Sequence, residues 1–252
     1  NGFLAYGKRT KRYELKSAHN CFDRKELEIE LNKIDLPNVK IIITGNGRVG
    51  RGALEVIHSL KLKEVSKEEF INQSFSEPVF VHLDFLDYNA RIDGLPSSES
   101  DFFTNPQKYK SIFMQYAKHA DIFIAGHFYS YNSPYLFTRE DAKSSDFKIR
   151  TVADISCDID GPVACTIRPS TIANPIYGYN PLTEQEDDFD KENVITVMAI
   201  DNLPCELPKD ASEDFGNEMI KHIFPALIGC DHYDLINRAT ICKNGDLNLP
   251  YE

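Results

Sequence analysis

Basic residues are scarce in this 252-residue chain, which carries 28 lysines and arginines against 39 aspartates and glutamates. The formal net charge is −11, and the sequence pI is near 5.1. Nucleic-acid phosphates are bound by basic surfaces, so this balance disfavours a nucleic-acid partner. Long apolar runs are missing too, since none approaches the ~20 residues that a membrane-spanning helix needs. We therefore predict neither a nucleic-acid partner nor a membrane span.

Closely spaced cysteine pairs are also absent. The six cysteines are scattered, and no two of them form a Cys-x-x-Cys pair. This pattern offers neither the ligand spacing of a zinc site nor a disulfide framework. Asp154, Asp158 and Asp160 lie close together, but the rest of a calcium-binding loop is missing around them. We predict free thiols, a reducing cytoplasmic environment and no metal site.

The stretch from Lys40 to Gly52 organises the rest of the chain. Three consecutive isoleucines at 41–43 predict a strand that is buried on both faces. The motif Gly45-x-Gly47-x-x-Gly50 follows at once and precedes a helix with an apolar face. Gly45 permits a tight turn, Gly47 lets a pyrophosphate approach the backbone, and Gly50 lets the helix lie close to the strand.

We interpret this stretch as a dinucleotide-binding turn, because the helix N-terminus offers free N–H groups and a positive dipole end to phosphates. A structural glycine turn and an S-adenosylmethionine site are the alternatives. Such methyltransferase sites often carry an acidic residue just before the glycines, and Thr44 stands there instead.

A second predicted strand over residues 79–84 ends in Asp84. An acid at this strand end binds the adenosine ribose in dinucleotide folds, usually ~20 residues past the glycines. Asp84 lies 34 residues past Gly50, and a short helix that starts at the Ser66–Glu69 capping box accounts for the extra length. A carboxylate here favours NAD over NADP, because it repels a 2′-phosphate. Asp87 competes for the role, and an ordinary polar strand end is the alternative.

Further buried strands are predicted over residues 121–126, 150–158 and 194–201, with a short strand over 163–167. Helices are predicted to start near residues 23, 105 and 210. Five clear strands alternating with helices predict an α/β fold, namely a Rossmann-like doubly wound parallel sheet with flanking interdomain helices. His127, at the end of the third strand, is a weak candidate for an acid or base.

We divide the chain into three parts: an interdomain helical segment at 1–35, an NAD-binding Rossmann domain at 36–205, and a C-terminal interdomain helix and tail at 206–252. The chain starts at Asn1 without a methionine and ends at Glu252, and neither end looks like a natural terminus. We expect it to be a fragment of a longer protein.

Three segments carry a resemblance to a known family. They are the glycine motif at 45–52, the sequence Arg-Thr-Val-Ala-Asp-Ile-Ser-Cys-Asp at 150–158, and the block Ile-Asp-Asn-Leu-Pro at 200–204 with its continuation to Phe215. Together they resemble the lysine-forming saccharopine dehydrogenases and the reductase part of the bifunctional lysine-ketoglutarate reductase/saccharopine dehydrogenase. More broadly, they resemble the alanine dehydrogenase and transhydrogenase superfamily. The resemblance covers about residues 38–225.

The resemblance implies two Rossmann-like domains with the active site between them and NAD on the second. It implies pyrophosphate contacts at Arg48 and Val49 and a ribose contact at Asp84. The contacts that it implies near the nicotinamide come from Phe128 or Tyr129, from Ile155, Ser156, Cys157 and Asp158, and from Ile200, Asp201, Asn202 and Leu203. The family's catalytic lysine and histidine lie in the first domain, which has no counterpart here, so we name no catalytic residue.

The resemblance therefore predicts an NAD-dependent amino-acid dehydrogenase that acts on C–N bonds, of which this chain is the nucleotide-binding part. The full-length protein would take a small-molecule amino-acid substrate, and its oligomeric state is left open. Two other functions stay as alternatives: a non-catalytic NAD-sensing module, and an S-adenosylmethionine-dependent methyltransferase.

Overall fold

A sheet built from the predicted apolar runs lies at the centre of the computed structural model, which describes residues 1–130, 132–248 and 251. The described strands are β1 (Lys40–Thr44), β2 (Lys63–Glu64), β3 (Val79–Leu83), β4 (Asn89–Arg91), β5 (Tyr109–Ser111), β6 (Ile122–Ala125), β7 (Thr151–Asp154), β8 (Tyr177–Asn180), β9 (Gln185–Asp187), β10 (Ile195–Met198), β11 (Cys242–Lys243) and β12 (Asp246–Leu247).

Helices cover both faces of this sheet and form most of the C-terminal segment. The described α-helices are α1 (Gly2–Thr10), α2 (Arg24–Leu31), α3 (Arg48–Ser59), α4 (Lys67–Asn72), α5 (Phe85–Tyr88), α6 (Glu99–Thr104), α7 (Met114–Ala117), α8 (Arg139–Lys143), α9 (Pro208–Glu218), α10 (Phe224–Ile228) and α11 (Leu235–Ala239). Short 3-10 turns occupy Ala18–Asn20, Pro106–Lys108 and Leu203–Glu206, and a π turn occupies Met219–Ile223.

Eight of the described strands form the main sheet in the order β2-β3-β1-β6-β7-β10-β8-β9. Neighbours from β2 to β10 run parallel, and β8 and β9 are added antiparallel at one edge. The direction of chain travel reverses at β1, so the carboxyl ends of β1 and β6 flank the topological switch point where ligands of such sheets bind. The predicted α/β, Rossmann-like class is confirmed.

Side chains alternate between the two faces of β1, as the period of a strand requires. Ile41 and Ile43 pack with Ile57 of α3 and Phe3 of α1 on one face. Ile42 points the other way into an aromatic-rich core that includes Phe113, Phe123 and Phe137. All three isoleucines are fully buried, and each contributes about 1.5–3 kcal/mol of hydrophobic stabilisation.

The N-terminal helix α1 is an integral part of this packing. Arg9 of α1 reaches the far edge of the sheet, where its guanidinium donates to the carbonyl of Phe189 at 2.6 Å and to those of Lys191 and Glu192 at 3.0 and 3.1 Å. It also donates to the Thr196 hydroxyl at 3.0 Å. The 1–35 segment therefore contacts the sheet directly, while its interdomain role stays a prediction.

Several local elements differ from the sequence-based predictions. Residues 163–167 contribute an isolated bridge between Phe137 and Val163 rather than a strand, because the chain there turns back into a loop. Two elements of the main sheet were not predicted from the sequence: the parallel edge strand β2 and the antiparallel hairpin β8–β9. The long helix predicted from residue 105 is instead a 3-10 turn, β5 and α7.

The predicted capping boxes have mixed outcomes. Asp23 caps α2, and Ser66 with Glu69 caps α4, both as predicted. The helix predicted to start near residue 210 begins at Pro208, so Asp210 does not cap it, and the Asp210 carboxylate instead accepts from the Arg24 backbone N–H at 3.0 Å. Residues 249, 250 and 252 of the predicted tail lie outside the described residues. No helix in the described ranges is long and apolar enough to cross a membrane.

Candidate functional site

The glycine motif forms a tight turn in which three backbone segments meet without side chains. Gly45 has φ +101°, and a Cβ there would lie 2.3 Å from the carbonyl oxygen of Gly126. A Cβ on Gly50 would lie 1.9 Å from the Gly45 carbonyl oxygen. Substitution of either glycine would force the backbone apart, so both are required by the fold itself.

Gly47 differs from these two glycines. It is the N-cap of α3 with φ −79° and ψ −169°, a conformation open to any residue. A Cβ built at this position meets no described atom within 4 Å. The fold therefore does not require a glycine at this position. A ligand that approaches the helix N-terminus would require one. The N–H groups of the first helical turn have no intrahelical partner and are available to such a ligand.

Strand β3 holds the turn in place from one side. The Gly45 N–H donates to the Leu83 carbonyl at 3.1 Å. The imidazole Nε2 of His82 lies 2.8 Å from the Gly45 carbonyl oxygen. Since a carbonyl only accepts, this nitrogen carries the proton and donates. From the other side, the Gly126 N–H donates to the Thr44 carbonyl at 3.1 Å.

A cleft of about 840 Å³ opens beside the turn, at the switch point between β1 and β6. Ten of the predicted site residues line it: Gly45, Gly47, Arg48, Val49, Asp84, Phe128, Tyr129, Ile155, Ser156 and Asp158. The predicted residues that lie outside this lining are Gly50, Cys157, Ile200, Asp201, Asn202 and Leu203. Gly50 is buried beneath the turn, Ile200 is buried in the core, and 201–203 lie at the end of β10.

Asp84 occupies the end of β3, where the ribose contact is predicted, and it also caps α5. Its carboxylate accepts from the Phe85 N–H at 2.7 Å, and its own N–H donates to the Asp87 carboxylate at 2.8 Å. Asp87 pairs further with Lys67 and does not line the cleft. Of the two competing carboxylates, Asp84 is thus the one that faces the cleft.

A buried carboxylate fixes the opposite wall of the cleft. Asp154, at the end of β7, accepts from the Ser156 N–H at 3.1 Å and its hydroxyl at 2.6 Å, and from the Thr166 hydroxyl at 2.6 Å. Burial raises the pKa of Asp154, while these hydrogen bonds lower it. The network orients the loop that places Ser156 and Asp158 at the cleft.

Cys157 turns away from the cleft within the same loop. Its backbone is left-handed, with φ 52°, and its thiol donates to the Ala199 carbonyl at 3.2 Å. Burial, together with the charge of Asp154, raises the pKa of this thiol to about 11. The thiol is therefore protonated at neutral pH and a poor nucleophile. All six cysteines are free, as predicted.

His127 lies under the turn and is 6% exposed. Its Nδ1 lies 2.9 Å from the Thr44 hydroxyl, and its ring meets Tyr88 edge-on with centroids 6.2 Å apart. Its Nε2 has no hydrogen-bond partner within the described part of the chain. Burial lowers the pKa of His127 to about 4, so the imidazole is neutral near pH 7. It can exchange a hydrogen bond with a ligand but carries no charge toward a phosphate.

The cleft also contains residues that motif reasoning missed. They are Asn46, Arg51, Phe85, Tyr88, Glu99, Phe102, Phe103 and Gly126. Most come from residues 85–103. The polar, turn-forming residues of this stretch, such as Asp93-Gly94 and Leu95-Pro96, predict a loop over residues 87–105. The three phenylalanines were the available signal, since such rings are unusual in a solvated loop. Across residues 1–130, 132–248 and 251, no cluster of three or more His, Cys, Asp or Glu side chains could hold a metal ion.

The fold and the cleft define a class: an α/β domain of Rossmann type with a glycine turn at the switch point of its sheet. No family model matches the chain. Among curated proteins, it is 25% identical to the alpha-aminoadipic semialdehyde synthase, mitochondrial, of Mus musculus, over 90% of this chain and 28% of that protein. The same protein of Rattus norvegicus is 26% identical over the same shares.

A plant relative gives a similar match. The alpha-aminoadipic semialdehyde synthase of Arabidopsis thaliana is 26% identical over 84% of this chain and 22% of that protein. These relatives confirm the predicted resemblance to the lysine-ketoglutarate reductase/saccharopine dehydrogenase family. The chain spans little more than a quarter of the length of the mouse and rat proteins that it matches.

Proposed function

We propose that this chain is the nucleotide-binding part of an NAD-dependent amino-acid dehydrogenase that acts on C–N bonds. One observation carries the nucleotide-binding role. Gly47 stands at the N-terminus of α3, faces a cleft at the sheet's switch point, and has open space where a side chain would be. A pyrophosphate would use that space and the free N–H groups of the first turn.

The residues around this point fit the rest of a dinucleotide. Asp84 offers a carboxylate to the adenosine ribose hydroxyls, and its negative charge disfavours a 2′-phosphate. These features support NAD rather than NADP as the cofactor.

The far side of the cleft is suited to the nicotinamide half. Ser156 and Asp158 sit on the loop that Asp154 fixes, and Phe128 offers an apolar surface beside them. When bound, the nicotinamide ring supplies hydride chemistry toward the carbon that bears the amino or imino group. The role of this wall is to orient the ring and exclude water.

The dehydrogenase activity of the whole protein rests on the relatives and on the motif resemblance. The full-length protein would take a small amino acid as its substrate, and the proton acceptor would come from the domain in which the family carries its lysine and histidine. A cytoplasmic location stays a prediction from the thiols. NADH formation by the full-length protein with saccharopine, alanine or related amino acids tests the activity, and no NADH formation with any of them would refute it.

The nucleotide proposal is tested by titrating the chain with NADH and NADPH in a calorimeter. The informative variant is Asp84→Asn, because asparagine keeps the cap on α5 while it removes the charge. We expect the wild type to bind NADH more tightly than NADPH. In the variant the ratio of the two affinities should fall roughly tenfold, which corresponds to about 1.4 kcal/mol.

Asp87→Asn is the matched control, since Asp87 is three residues away and outside the cleft lining. It should leave the preference unchanged. If both variants changed the preference for NADH equally, the proposed role of Asp84 would be refuted. Saturable binding of S-adenosylmethionine without NADH binding would replace the proposal with the methyltransferase alternative.

A further inference from the structure

Three phenylalanine rings form one end of the cleft, next to Asp84. We call Phe85, Phe102 and Phe103 the aromatic wall. The ring centroid of Phe85 lies 5.1 Å from that of Phe102 and 5.3 Å from that of Phe103. Phe102 and Phe103 are 5.6 Å apart in an edge-to-face arrangement. All three residues line the cleft.

The members of the aromatic wall differ in how much the fold needs them. Phe102 is 5% exposed and packs edge-on against Tyr109, with centroids 5.0 Å apart, so it anchors the wall. Phe103 is 53% exposed although it contacts two other rings. A large ring held in position yet left half in water offers a stacking surface to a planar ligand.

The segment that carries the wall is firmly held. Strands β4 and β5 pair antiparallel, and the Ser98 hydroxyl caps α6 through the Asp101 N–H. The Asp101 carboxylate accepts from the Tyr109 hydroxyl at 3.0 Å and pairs with Arg91. A wall fixed in this way presents its rings without a large ordering cost on binding.

We propose that the aromatic wall binds the adenine base of the dinucleotide, an inference that rests on the proposed nucleotide-binding function. The order of groups along the cleft supports this assignment. The glycine turn would take the phosphates, Asp84 the adenosine ribose, and Phe85, the next residue in the chain, begins the wall. A base attached to that ribose therefore lies within reach of the rings, and every base has a face on which an aromatic ring can stack.

The test compares Phe103→Ala with the wild-type chain, using three ligands in a calorimeter. NADH carries both halves, AMP carries only the adenosine half, and reduced nicotinamide mononucleotide lacks adenosine. We expect Phe103→Ala to weaken NADH and AMP by the same factor, roughly 5- to 150-fold, which is the usual range for losing one base–aromatic stack. Binding of the mononucleotide should not change.

Phe215→Ala is the matched control, because Phe215 is also a mostly exposed phenylalanine, 69% exposed, but lies on α9 away from the cleft. It should leave all three affinities unchanged, and Phe103→Tyr should restore the affinity for AMP. Thermal unfolding of each variant verifies that the fold is intact, which we expect since the Phe103 ring is half exposed.

The outcomes separate this inference from the proposed function. NADH binding that depends on Asp84 but not on Phe103 would overturn the proposal that the aromatic wall binds adenine, and it would leave the proposed nucleotide site in place. An equal loss for the mononucleotide would also overturn it, because the effect would not be confined to adenosine. Binding of AMP that depends on Phe103, without binding of NADH, would support a purine site and refute the dehydrogenase. No binding of any ligand by the wild type would refute both.

Discussion

Replacing Gly47 with alanine tests whether the glycine at this position is required by the fold or by a ligand. The backbone at Gly47 suits alanine, and the added Cβ meets no described atom within 4 Å. Alanine is a poorer N-cap than glycine, but it also lowers the conformational entropy of the unfolded chain. These effects oppose each other, so we expect the free energy of unfolding to change by no more than about 1 kcal/mol.

Binding should respond very differently. The new Cβ would occupy the space through which a pyrophosphate reaches the N–H groups at the start of α3. Losing one hydrogen bond to a charged group costs about 1.5–3 kcal/mol, which corresponds to a roughly 10- to 150-fold weaker affinity for NADH. Isothermal titration with NADH measures the affinity, and urea unfolding measures the stability.

Two other glycines complete the comparison. Gly52→Ala, in the exposed first turns of α3, should stabilise the chain by about 0.5–1 kcal/mol and leave NADH affinity unchanged. Gly45→Ala should destabilise the fold, because its φ of +101° and the Gly126 carbonyl at 2.3 Å exclude a side chain. If Gly47→Ala bound NADH as tightly as the wild type, the phosphate-site reasoning would be refuted.

Two further predictions concern stability. The pKa of His127 falls from 6.5 to about 4 on folding, so between these pH values the unfolded chain binds a proton that the native state does not. The free energy of unfolding should therefore decline by about 3 kcal/mol as the pH drops through this range, and it should decline less steeply in His127→Gln than in the exposed control His232→Gln. Parallel pH profiles of the two variants in urea unfolding would contradict this prediction. Arg9→Ala should lower the free energy of unfolding by about 2 kcal/mol, because several carbonyls lose a charged donor, whereas Lys8→Ala should have little effect. Equal urea midpoints of the two variants would show that the Arg9 hydrogen bonds do not stabilise the fold.

Local signals allowed the central part of the fold to be predicted. The isoleucines of β1 and the glycines after them specify a strand, a turn and a helix from residues that are neighbours in sequence. Gly45 and Gly50 meet the backbone conditions that the motif implies. The nucleotide-side residues followed from the same stretch, and the structure brings Gly47 and Asp84 to one cleft.

Elements that depend on distant contacts could not be predicted in this way. Strand β2 is two polar, exposed residues, so it has no periodic pattern and exists because β3 offers it an edge. Helix α1 contains glycines that weaken its intrinsic propensity, and burial against β7 and β10 stabilises it. The Ser98–Asp101 cap of α6 was present in the sequence, but the surrounding turn-forming residues concealed it.

The contact between the glycine turn and the Gly126 segment also has a consequence for the order in which the site forms. Thr44 and His127 are hydrogen-bonded although 83 positions separate them in the chain. A long loop must close before this contact exists, so the site cannot form from local structure alone and should be completed late in folding. The amide hydrogens of Gly45 and Gly126 should therefore exchange with solvent deuterium through partial openings, at a lower free energy than the amides in the middle of β1 and β6. Cofactor binding would suppress these partial openings, so the added protection should be greatest at two segments that are distant in the sequence but joined in the site.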